Sequence, residues 1–68
     1  MQPHQQRVVT EKKELDDKLV KLHAFCFGDN NKIFSSLDPA ERDRLESQYT
    51  VMKQYSDILE ERIKHFAA

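Results

Sequence analysis

An all-α, antiparallel two-helix hairpin is the fold this sequence predicts, and three observations carry the prediction. Apolar residues recur at helical spacing in both halves of the chain. No Gly or Pro interrupts the run from Ala40 to Ala68. A polar stretch holding the sole glycine, "GDNNKIFSSL", separates the two periodic segments. The expected unit is a single domain over 1–68 with a short helical turn at the hinge, assembled into a homo-oligomeric helical bundle.

The first helix is expected over about 3–27. Val8, Leu15, Leu19, Leu22 and Cys26 form one stripe along it. Pro3 suits a first turn, where its missing N–H costs nothing. Gly28 follows "HAFCF" as a natural stop, a residue that accepts positive φ. The hinge then occupies 28–38. Its polar start reads as a turn, a helical turn fits around 31–36, and Ile33, Phe34 and Leu37 are expected to close the bottom of the core.

The second helix announces itself in "SSLDPAERDRLESQ". Asp38 is placed to cap the N-terminus through its carboxylate, with Pro39 in the first helical position and Glu41 completing a box-like arrangement. Leu45, Tyr49, Met52, Leu59, Ile63 and Phe66 recur at helical spacing, with Tyr55 or Ser56 filling the missing step. The helix is expected over about 39–65, roughly 40 Å long at 1.5 Å per residue. Each helix also carries a second apolar edge: Val9, Val20 and Phe27 on the first, Val51, Ile58 and Ala67 on the second. Two helices cannot cover both stripes, so self-association is the economical way to bury them.

Composition narrows the function classes. Eleven Lys and Arg stand against twelve Asp and Glu, a formal charge of −1, with acids and bases alternating in "TEKKELDDK" and "PAERDRLE". That pattern reads as solvated helix faces and argues against binding long nucleic acid. A lone cysteine, Cys26, excludes an internal disulfide, suits a reducing compartment and reads as a small buried hydrophobe. No apolar run approaches the ~20 residues of a membrane span, and "MQPHQQRVV" lacks a signal-peptide core. A soluble protein of the cytoplasm is the expectation.

Catalytic and metal chemistry find little support. His4, His23 and His65 are too scattered for a metal site, and Glu60 and Glu61 point to diverging faces. Ser35 and Ser36 lack a histidine partner, and there is no Gly-rich phosphate loop. No metal, no cofactor and no enzymatic activity are expected. The residues that could hold a ligand emerge when the hairpin is closed about its hinge, pairing positions whose numbers sum to about 66. Arg7 and Glu11 then face Tyr55, Leu59 and Arg62, Lys18 faces Gln48, and His23 faces the Asp43 region. Two readings of the Arg7, Glu11, Tyr55 and Arg62 group stay open. It is an ion-pair network packed on Tyr55, or it is a site in which guanidiniums hold phosphate and the phenol ring stacks on a base. Lys12 interrupts the apolar stripe of the first helix and either snorkels to water or marks a polar cavity. One hairpin is too thin to enclose a small molecule, so a pocket here is shared between subunits.

The pattern "QQRVVTEKKELDDKLVKL", then "F" and "L" near the hinge, then "ERDRLESQYTVMKQYSDILEERI", resembles a family of short helical proteins encoded by tailed phages and prophages, of the kind catalogued from crAss-like phages. The resemblance rests on residues spread from Gln6, Arg7 and Glu11 through Gln48, Tyr55, Arg62 and Ile63. It implies a phage setting and carries no activity of its own. By analogy of size and architecture, small oligomeric phage proteins include sponges that withhold the nucleotide messengers of bacterial defence. The expected function is therefore counter-defence, sequestering a nucleotide-derived immune signal between subunits without turnover. Arg7, Lys12 and Arg62 are the expected phosphate contacts, Tyr55 the stacking ring, and Glu11 and Gln48 the readers of polar edges. The alternative is a protein-interaction module whose exposed helix edges bind and inhibit a host protein.

Overall fold

The computed structural model describes residues 1–29 and 31–66. Three helices follow one another: α1 over Pro3–Phe27, α2 over Lys32–Ser36 and α3 over Pro39–Lys64. No strand occurs among the described residues. Lys12 meets Ser56 while His23 meets Tyr49, so α1 and α3 run antiparallel. The rod they form measures 47 × 18 × 16 Å, one hairpin thick.

Each helix end has a local cause, and two differ from expectation. At the start of α1, Pro3 occupies the first turn and the Gln5 side-chain oxygen accepts the Gln2 backbone N–H at 2.9 Å. At its end, Gly28 has φ −73° and ψ 165°, an extended conformation open to any residue, so positive φ is not why glycine stands there. The reason is space. Gly28 N–H donates to the Ala24 carbonyl at 3.0 Å, and a Cβ at Gly28 would collide with that same oxygen.

Asp38 is the N-cap residue of α3, but its carboxylate makes no capping bond. Its carbonyl instead receives the N–H groups of Glu41 and Arg42 at 2.9 and 3.0 Å. Glu41 does not complete a capping box either, because its carboxylate accepts from Arg44 Nε at 2.7 Å. Asp38→Ala should therefore cost no more than about 0.5 kcal/mol, the scale of a helix-dipole contribution, rather than the ~1 kcal/mol of a bonded cap. Urea denaturation of the two proteins measures the difference, and a loss above 1 kcal/mol would show that the carboxylate caps in solution.

Val8, Leu15, Leu19 and Leu59 form the buried centre, with Tyr49, Met52, Ile63 and Phe66 packed around them. The missing step of the α3 stripe belongs to Ser56, which is buried, while Tyr55 stays 42% exposed. Near the hinge, Cys26 and Phe34 are buried, and Phe25 meets Phe34 edge-on at 5.8 Å. Leu37 is half-buried; Ile33 points to solvent and closes nothing.

The register also departs from a hinge-centred pairing. His23 packs on Tyr49, 5.6 Å between ring centres, well along α3 from the Asp43 region. A tight symmetric loop would have paired helix ends directly. Here α2 folds back so that Phe34 covers Phe25, and the first turns of α3 extend past the end of α1. Of the second apolar edges, Val20, Phe27, Val51 and Ile58 are exposed and Val9 is half-buried; Ala67 lies outside the described residues.

Candidate functional site

Helical spacing sorts the polar residues into two faces of the hairpin. On α1, Arg7, Glu11 and Lys18 flank the buried Val8–Leu15 stripe on one side, whereas Lys12, Asp16 and His23 flank it on the other. On α3, Gln48, Tyr55 and Arg62 recur seven apart on one side of Met52 and Leu59. Tyr49, Lys53, Ser56 and Glu60 lie on the opposite side. The structure thus divides the six sequence candidates. Lys12 sits on a groove face; Arg7, Glu11, Gln48, Tyr55 and Arg62 share an arginine seam behind it.

The groove has a volume of about 440 Å³ and opens to solvent along its length. At its floor Lys12 Nζ donates to Asp16 Oδ2 at 2.6 Å and to Ser56 Oγ at 3.2 Å. The Ser56 hydroxyl donates to Asp16 Oδ1 at 2.5 Å, closing a three-membered polar knot between α1 and α3. Lys12 therefore does not simply snorkel: its side chain is only 21% exposed and tied across the helix pair. Farther along, Lys53 Nζ bonds Asp57 Oδ1 at 2.7 Å, which pushes the Lys53 pKa up. The inner wall is aromatic. Tyr49 stands against His23 and, edge-on at 5.7 Å, against Phe27.

Asp16 is held below the usual carboxylate range, first by the Lys12 hydrogen bond and then by that from Ser56. A carboxyl depressed in the folded state stabilises it above the unfolded pKa of about 3.9, and the contribution disappears as pH falls through the folded value. The stability gap between wild type and Asp16→Asn should therefore be level from pH 7 to about 5 and shrink below about pH 4. Thermal melts across that range test it. A gap that persists undiminished at the lowest pH would show that the Asp16 charge contributes nothing to the knot.

The seam looks different. Arg7, Glu11, Lys18 and Arg62 are exposed, and none belongs to an ion pair among the described residues. Gln48 Nε2 leans toward Met52 Sδ at 3.7 Å. The ion-pair network that one sequence reading allows is thus not formed among the described residues of the chain. Cys26 is buried and its thiol is pushed up, by burial first and the nearby Glu46 charge second, so it is no nucleophile. No group of His, Cys, Asp and Glu suited to a metal occurs among the described residues, and no helix there is long and apolar enough to cross a membrane.

Sequence reasoning did not place Asp16, Ser56, His23, Tyr49 or Lys53 in a site. Two signals were present. Lys12 and Asp16 are one turn apart, and Ser56 fills an apolar step that a leucine would suit. Both helices had to be in register before these could be joined.

A small helical hairpin, with a polar and aromatic groove on one face and exposed guanidiniums on the other, is the class that fold and site define. The chain belongs to the Sequestin family, whose family model matches residues 2–65. That name suggests a sequestering, and so a binding, function. No curated protein and no solved structure matches the chain.

Proposed function

We propose that this protein is a phage counter-defence protein of the host cytoplasm that sequesters a nucleotide-derived immune signal, without turnover, in pockets shared between subunits of a homo-oligomer. The observation that carries this reading is that Arg7 and Arg62 stand exposed on the Tyr55 side of the hairpin, in no ion pair among the described residues. A structural network would have occupied those donors. Left free, a guanidinium offers bidentate contact to phosphate, and a half-exposed phenol ring offers a stacking face. Glu11 and Gln48, on the same seam, supply acceptors and donors for ribose or base edges, and Lys12 supplies a further cation. Membership in a family named for sequestration supports holding a ligand over transforming it.

Calorimetry against a panel of cyclic and ADP-ribose-derived nucleotides, followed by denaturation and analysis of the released ligand, tests the proposal. The expected result is saturable binding of at least one member, recovered intact. Recovery of a converted product sinks the non-enzymatic reading. The exposed Val51 and Ile58 edge supports a second reading, a module that binds and inhibits a host protein. Absence of binding across the panel, together with stable capture of one host protein, would put that reading in its place.

A further inference from the structure

We infer that Asp16 is an internal competitor for the ligand: its carboxylate takes up the cation that Lys12 would otherwise offer to a phosphate, and so sets the affinity of the groove for anions. Asp16 is thus a positioning residue that acts through Lys12. The choice of a nucleotide as the anion rests on the function proposed above; the masking of Lys12 does not.

Three observations lead here. The first is occupancy. The Lys12 ammonium has three N–H groups, of which one goes to Asp16 Oδ2 at 2.6 Å and one to Ser56 Oγ at 3.2 Å. Ser56 turns its own proton toward Asp16 Oδ1, so both carboxylate oxygens are engaged and one acid gathers the donors of the groove floor. The second is charge. Lys53 also acts on Asp16 from the rim, and the carboxyl is held below its usual range, so it stays ionised at neutral pH. Lys53 is itself bonded to Asp57. Lys13, Arg42 and Lys64 lie on the same side of the rod by helical spacing, yet Lys12 is the cation bonded to Asp16. Glu60 and His23 line the groove without a bond to the knot. The third is access. The Lys12 side chain is 21% exposed and that of Asp16 43%, and both border the open groove, so an anion reaches them without the hairpin parting.

An anion arriving at Lys12 has to share an ammonium that is already neutralised, and it meets the Asp16 charge beside it. The attraction it gains is offset by the repulsion it encounters. Removing that charge while keeping the shape of the side chain therefore strengthens anion binding. A residue that only braced the hairpin would have the opposite effect when weakened.

Asp16→Asn tests this, because Asn keeps an oxygen acceptor in place and sheds the charge. Inorganic pyrophosphate is the anionic probe and adenosine the neutral one, both followed by calorimetry at neutral pH. Asp16→Asn is expected to bind pyrophosphate about three- to tenfold more tightly than wild type, between the scale of an exposed ion pair and that of a charge-assisted hydrogen bond. Adenosine should not distinguish the two proteins. Asp17→Asn removes the same charge from the exposed neighbouring position and should behave as wild type. Adding Lys12→Gln to Asp16→Asn should abolish the gain. Asp16→Gln serves as the second variant should Asp16→Asn lose its helical circular dichroism. Equal or weaker pyrophosphate binding in the Asp16 variant overturns the inference. So does a gain that Asp17→Asn reproduces, or one that survives without Lys12. A gain confined to the Asp16 variant, in a protein that binds no nucleotide, leaves the mask standing and removes only the nucleotide.

Discussion

Leu59→Ala should unfold most of this protein at physiological temperature. Leu59 is completely buried, on α3, in contact with a cluster drawn from both long helices. Truncating a buried leucine costs about 2–5 kcal/mol, the lost transfer free energy plus the cavity that remains. A chain of this size holds only on the order of 3–10 kcal/mol in total, at 0.05–0.15 kcal/mol per residue. At about 4–8 °C per kcal/mol, the melting temperature should fall by at least about 8 °C. Ile58→Ala is the informative neighbour. Ile58 is 58% exposed, so its truncation should leave the hairpin intact. Paired thermal melts followed by circular dichroism read both. Equal shifts for the two variants would mean that α3 does not present the Leu59 face to α1.

Helix type and extent were legible because the signals are local. The stripes are read from spacing alone, and Pro3 and Pro39 mark first turns that the structure keeps. The causes at the helix ends were less legible. Gly28 serves by lacking a Cβ near the Ala24 carbonyl, and Asp38 caps without its carboxylate. Both depend on where backbone atoms finally sit. The register was illegible for a related reason: it depends on how α2 folds Phe34 onto Phe25, a contact with no periodic trace.

The site shows the same division. Arg7, Glu11, Tyr55 and Arg62 could be grouped from sequence because their positions share a side of each stripe, which small register errors do not change. Asp16 and Ser56 could not, because their partnership with Lys12 requires α1 and α3 to meet at one particular level. Lys12 itself was recognisable as an interruption of the stripe. Its face relative to Arg7 follows from helical spacing, but its face relative to Arg62 follows only from the folded pair.

Arg62→Ala and Lys12→Ala should each weaken binding of the same nucleotide by roughly ten- to a hundredfold, although the two side chains lie on opposite faces of one subunit. A charge-assisted contact is worth ~1.5–3 kcal/mol, and 1.4 kcal/mol is tenfold in affinity. Arg62→Lys keeps the charge but loses the planar fork, so it should recover only part of the loss. Stability should separate the two sites. Arg62 is exposed and bonded to no acid among the described residues, so its removal should leave the melting temperature within a degree or two. Lys12→Ala removes one strand of the polar knot, yet Ser56 still donates to Asp16, so the hairpin should persist with a modest loss. Calorimetry on the folded variants, beside melts of the same samples, gives both quantities. If Arg62→Ala binds as tightly as wild type while Lys12→Ala does not, the ligand lies within the groove of one subunit and the arginine seam has some other partner. If both lose affinity while remaining folded, two faces of one thin rod contribute to a single pocket, and only a second copy can bring them together.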